Sequence, residues 1–350
     1  MKRKNYTWLM IVWASVVLVS LSGCASQTPP LSSSVGQAVE GFSGSAPQSI
    51  PEEPEPVPSQ PEKAQEPVTT EEKTLSTEDQ NTEEAASTPI QPQEEPMTYT
   101  YQTETLYAQR DGNQIYGVAY IPQNVGEKLP AVIFSHGFGG SYHNGTGYAE
   151  QLAKRGYFVY CFDFCGGSYG SRSEGDVLDM SIFTEQADLE AVLAMITSRE
   201  DVDSEAIFLA GASQGGAVSA ITAAANPDAV RGMILLYPAF VIVDDAKARF
   251  GRVEDIPDSY NMMGMRIGRA YAEKLLDYDF YEVISDYEKD VLIIHGDADG
   301  LVPLSYSQRA VEVYPSATLE VLPGAGHGFY GEDDRRAVQL ALEYLDSHKS

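Results

Sequence analysis

Positive charge is scarce in this chain: 23 lysines and arginines stand against 51 aspartates and glutamates, a net charge of −28. A field of that sign repels phosphate backbones, and no basic stripe with interleaved aromatics offsets it, so nucleic acid is not an expected partner. Cysteine is nearly missing, with three in 350 residues, which excludes a disulfide framework. There is no HExxH, no paired-cysteine metal spacing and no dinucleotide fingerprint in its required context. The glycines Gly166, Gly167 and Gly170 lack the Gly-Lys-Ser/Thr ending of a phosphate-binding loop. The expectation is a protein with no metal and no cofactor. Cys161 and Cys165, four residues apart at a strand end, exceed disulfide reach if extended and read as two small buried thiols.

What is present changes along the chain. Residues 1–24 open with Lys2, Arg3 and Lys4, run apolar from Trp8 to Leu21 and close on Leu21-Ser22-Gly23-Cys24. This resembles a lipoprotein signal peptide, in which small residues precede a cysteine that becomes the lipidated first residue. The resemblance implies lipidation at Cys24, a membrane partner through that lipid, and a place on the extracytoplasmic face of the cell membrane. Residues 25–97 hold 12 of the 20 prolines, 14 acidic residues against Lys63 and Lys73, and one aromatic, Phe42. A segment of this composition buries no core and stays solvated, a tether of roughly 50 Å or more. With the leader's +3 and the tether's −12 set aside, residues 98–350 carry −19.

Residues 98–350 suit one α/β domain. Strand-like stretches 99–108 and 113–121 flank Asp111-Gly112, predicting an antiparallel hairpin. Strands are then expected at 131–134, 157–162, 206–210, 233–236, 291–294 and 318–322, alternating with helices at 148–155, 180–197, 217–225 and 335–345. That alternation predicts a mostly parallel, doubly wound sheet whose strand carboxyl ends carry the site. Between 238 and 290 it breaks into a stretch rich in Tyr, Met, Asp and Arg, read as an inserted cap. Of its aromatics Phe240, Phe250, Tyr260, Tyr271, Tyr278, Phe280 and Tyr281, most are expected to pack the cap on the body and two or three to line a pocket.

The most specific signal is Gly211-Ala212-Ser213-Gln214-Gly215, between the apolar run 206–210 and the small-residue helix. A serine on so tight a strand-to-helix turn leaves no room for side chains two residues either side, which explains the glycines. A serine hydroxyl needs a base and a group to orient that base. Downstream come His295-Gly296-Asp297-Ala298-Asp299-Gly300-Leu301-Val302-Pro303 and then Gly324-Ala325-Gly326-His327-Gly328-Phe329. With Ser135-His136-Gly137-Phe138-Gly139-Gly140 upstream, these motifs resemble the α/β-hydrolase superfamily from about Tyr99 onward.

The resemblance implies Ser213 as nucleophile, His327 as base and Asp299 as its orienting carboxylate. Asp297 competes for that last role but is favoured as a loop brace. It implies the backbone N–H groups of Phe138 and Gln214 as the oxyanion hole, with His136 bracing the loop. The loop Asp163-Phe164-Cys165-Gly166-Gly167-Ser168, with Met180-Ser181 and Thr184-Glu185, is similar to the bacterial feruloyl and cinnamoyl esterase branch. The substrate so implied is a small-molecule or polysaccharide-linked ester. Two rivals stay open: a serine peptidase of aminopeptidase or prolyl-peptidase type, with Glu254, Asp255, Asp258 and Glu273 as candidate holders of an amino terminus, and a non-catalytic surface-binding module.

Overall fold

The computed structural model describes residues 97–349. The leader with Cys24, and the tether through residue 96, lie outside the described residues. Strand β1 (Tyr101–Arg110) pairs antiparallel with β2 (Asn113–Pro122), Arg110 opposite Asn113. The two-residue turn Asp111-Gly112 has φ of 51° and 90°, the twist that suits a tight hairpin. There follow β3 (Leu129–Ser135), α1 (Thr146–Lys154), β4 (Phe158–Phe162), α2 (Ile182–Thr197), β5 (Val202–Ala212), α3 (Gln214–Ala225) and β6 (Gly232–Leu236). The insertion then contributes α4 (Ile242–Arg249), β7 (Ser259–Met262), β8 (Met265–Gly268), α5 (Ala270–Glu273) and α6 (Phe280–Ile284). The body resumes with β9 (Val291–Gly296), α7 (Ser305–Val313), β10 (Ala317–Leu322) and α8 (Glu332–His348).

Eight strands form one sheet in the order β1-β2-β4-β3-β5-β6-β9-β10, and β7-β8 form a separate hairpin. From β4 to β10 every pairing is parallel. The central strands read as unbroken apolar runs because both their faces are covered. Val132, Phe208, Ile234 and Leu292 pack with α1 and α8 through Leu152, Leu340 and Leu345. Their chain neighbours Ile133, Leu209, Met233 and Ile293 pack with α2, α3 and the insertion through Leu189, Ile221 and Phe240. Parallel strands place all their carboxyl ends on one side, so the loops after β3, β5, β9 and β10 converge there.

Helix α7 and the elements inside the insertion escape the sequence reading. Helix α7 buries only Ser307 and Ala310, so it lacks the apolar stripe that marks α2. The β7-β8 hairpin has strands of four residues, too short to show alternation. Cys161 and Cys165 are free and buried, and burial pushes the Cys165 thiol up to about 12.

Candidate active site

Ser213 stands between β5 and α3 with φ 54° and ψ −119°, a backbone state that costs a non-glycine residue about 1–3 kcal/mol. Its backbone is fixed on both sides: the Ser213 N–H donates to Leu236 O at 2.9 Å, and Ser213 O accepts from Ala239 N–H at 2.9 Å and Gly216 N–H at 3.0 Å. The glycines are a steric requirement. A methyl on Gly211 would lie 2.3 Å from Gly215 O, and one on Gly215 would lie 2.3 Å from Ser135 O.

His327 Nε2 lies 3.0 Å from Ser213 Oγ, and His327 Nδ1 lies 2.8 Å from Asp299 Oδ2. A carboxylate only accepts, so Nδ1 carries the ring proton and Nε2 is left to accept from the serine hydroxyl. The second Asp299 oxygen, Oδ1, accepts from Leu301 N–H at 2.9 Å and Val302 N–H at 2.8 Å. Burial alone would raise this carboxyl, yet these hydrogen bonds and His327 hold it below the ordinary aspartate value. Asp297 accepts from Gly324 N–H at 2.6 Å and so braces the histidine loop.

Two neighbours were not foreseen. His295, at the end of β9, is buried, its Nε2 2.9 Å from Val302 O and its Nδ1 2.7 Å from Ser307 Oγ. It backs Asp299 at 3.3 Å from Oδ2, and burial lowers its pKa, which keeps it neutral. The Tyr237 ring meets the His327 ring edge-on at 4.8 Å. The spacing of His295 four residues before Asp299 was a readable sign; nothing in the sequence pointed to Tyr237.

The loop after β3 packs directly on the serine: a methyl on Gly137 would lie 3.2 Å from Ser213 Cβ. His136 is buried and neutral, Nε2 accepting from Phe164 N–H at 3.2 Å and Nδ1 donating to Gly137 O at 2.8 Å. Phe138 follows, and among the described residues neither the Phe138 N–H nor the Gln214 N–H has a hydrogen-bond acceptor. Both residues line a cavity together with Ser213.

The sequence profile of the alpha/beta hydrolase fold matches residues 130–260. The solved structure of Est1E from Butyrivibrio proteoclasticus with ferulic acid bound is 26% identical, with a TM-score of 0.64, and the match covers 69% of this chain and 98% of that one. The chain has the α/β-hydrolase fold. An uncharacterized protein of Mycobacterium tuberculosis is 29% identical over 62% of this chain and 69% of its own length. Monoglyceride lipase of Rattus norvegicus is 25% identical over 66% and 75% respectively. The fold match and the likeness to Est1E and to the lipase support a hydrolase activity.

Within this hydrolase fold, Ser213 lies on the border of two cavities. One, of about 490 Å³, is apolar and runs under the insertion past Phe138, Ile242, Phe250, Tyr260, Met262 and Tyr271, with Asp245 among its polar members. Three of the seven insertion aromatics line it. The remaining four pack together, Phe240 on Phe280 at 5.4 Å and Tyr278 on Phe280 at 5.3 Å. The other cavity, of about 390 Å³, contains His327 along with Asn144, Tyr148, Tyr237, Tyr330 and Asp334. Glu254, Asp255, Asp258 and Glu273 line neither. Asp255 pairs with Arg252 at 3.1 Å and Glu273 with Arg269 at 3.5 Å.

Proposed function

We propose that this protein is a carboxylic ester hydrolase that works through an acyl-enzyme, held by a lipid on Cys24 at the extracytoplasmic face of the membrane. The observation that carries the chemistry is the hydrogen-bonded chain Ser213, His327, Asp299 set on the border of two cavities of different character. Ser213 Oγ attacks the ester carbonyl as His327 Nε2 takes its proton, and the tetrahedral oxygen is received by the Phe138 and Gln214 N–H groups. His327 then returns the proton to the departing alkoxide, and water repeats the sequence on the acyl-enzyme. Each oxyanion donor is worth about 3 kcal/mol in the transition state.

Proton return decides which cavity takes which half of the ester. The leaving alcohol must sit beside His327, and His327 lines the more polar cavity only. The acyl group therefore enters the apolar cavity, whose volume suits a small aromatic acid. The likeness to Est1E, whose structure holds ferulic acid, supports a hydroxycinnamoyl group as that acid, released from small esters or from polysaccharide. The peptidase reading loses its support, since the four acids proposed to hold an amino terminus are paired or lie elsewhere.

An acyl panel tests this. Burying two further methylenes at about 0.8 kcal/mol each favours butyryl over acetyl esters by about tenfold in kcat/KM, with feruloyl esters higher still and aminoacyl anilides unreactive. Rates independent of acyl size would refute the assignment of the cavity, and faster cleavage of the anilides would restore the peptidase.

A further inference from the structure

Behind the oxyanion hole lies a buried polar contact that the reaction as described does not use. The side chain of Gln214 is 2% exposed and points away from solvent, between helix α2 and the insertion. Its Nε2 donates to Glu185 Oε2 at 2.7 Å, and its Oε1 accepts from the Tyr271 hydroxyl at 2.6 Å. Glu185 and Tyr271 are themselves 1% and 3% exposed. The Tyr271 ring meets the Phe138 ring edge-on at 5.8 Å, so it touches both of the cavity-lining residues whose backbone N–H groups lack an acceptor among the described residues.

We propose that Glu185 and Tyr271 are positioning residues: by gripping the Gln214 carboxamide from both ends they hold the Gln214 N–H in place and tie the seating of the insertion to the oxyanion hole. The inference rests on the esterase reading of the site. Its physical logic is that a residue at the first position of α3, just after a strained serine, has no helical partner for its N–H. Its direction is therefore set by what restrains the residue, and a fully hydrogen-bonded side chain in the core is the firmest restraint available.

Glu185 is suited to the task because burial favours its neutral form. Burial pushes its carboxyl up to about 8, the Gln214 hydrogen bond opposes that, and Asp188 adds to it. Of the two acids on this face of α2, Asp188 takes the cation, pairing with Arg110 of β1 and accepting from Cys165 N–H. Its hydrogen-bond partner Gln214 is uncharged, as are the Tyr271 hydroxyl and the Met180 thioether that also meet Gln214. An unpaired carboxylate there would carry a large desolvation cost, whereas a carboxylic acid hydrogen-bonded to an amide carries little.

The test is steady-state kinetics of the full chain and its variants on an acetyl ester and a hydroxycinnamoyl ester. Tyr271→Phe removes one hydroxyl and keeps the ring on Phe138. It is expected to lower kcat by about tenfold on both esters with KM within about twofold. A residue that merely lined the pocket would change KM, and only for the large acyl group, because acetyl does not reach the cavity wall. Glu185→Leu is expected to show the same loss, and Glu185→Gln, the neutral isostere, to recover most of it. Should Glu185→Leu fail to fold, Tyr271→Phe decides alone. A Tyr271→Phe effect confined to KM of the larger ester, or no effect on either, overturns the clamp and leaves the esterase reading standing. Hydrolysis of neither ester by the wild-type chain overturns both.

Discussion

Replacing Ser213 by alanine is expected to lower kcat toward the preferred ester by about 10⁵- to 10⁶-fold while leaving the fold intact. The loss is chemical. Alanine keeps the Cβ that sits at φ 54° and every backbone hydrogen bond that fixes the turn, so the variant should melt close to the wild type. It lacks only the oxygen 3.0 Å from His327 Nε2. Residual catalysis from the oxyanion donors and the binding cavities should persist above the uncatalysed rate. Initial rates at saturating ester, with a melting curve on the same samples, check both halves. A variant that retains a tenth of the activity would mean that Ser213 is not the nucleophile.

Asp299→Asn has the next largest expected effect, a fall in kcat of about 10⁴-fold. The structure gives a reason specific to this loop. Oδ1 of Asp299 receives two backbone N–H groups, from Leu301 and Val302. An amide at 299 can accept those donors only with its oxygen, so its NH₂ is forced to face His327. The imidazole must then present a bare Nδ1 to that NH₂ and carry its proton on Nε2, where it can no longer accept from Ser213. Active-site geometry should barely change, and the substitution should separate activity from structure. The native carboxylate is held below its ordinary value. A depressed folded-state pKa means that its contribution to stability is present above the unfolded value of about 3.9 and is lost as pH falls through the folded value. Asp299 thus stays ionised through the neutral range, and an acid limb in the wild-type pH–rate profile there is not this carboxylate's.

The parts of this architecture that were legible are those in which one local constraint dictates residue type. The elbow demanded glycine at 211 and 215, and the contacts at 2.3 Å show why. The choice of Asp299 over Asp297 came from a motif, and the structure gives each a separate use, one on the imidazole and the other on Gly324 N–H. The long helices and the central strands announced themselves by periodicity and by unbroken apolar runs. What stayed hidden depends on contacts between distant segments. Glu185, Gln214 and Tyr271 lie 29 and 57 residues apart in sequence, and no local pattern marks a glutamate in α2 as buried against an amide. The division of the insertion aromatics into three that line a cavity and four that pack was expected in number, but identity required the fold. Helix α7 buries too little apolar surface, and the strands of the β7-β8 hairpin are too short, to be read from the chain alone.

The central claim is that the hydroxyl of Ser213 is activated, and covalent trapping tests it most directly. A fluorophosphonate reacts with a serine only when a base removes its proton and an oxyanion hole receives the phosphoryl oxygen. The full chain should take up one equivalent, mapped by peptide mass spectrometry to Ser213, with activity lost in step. No uptake, or uptake at another serine with ester hydrolysis intact, would contradict the account.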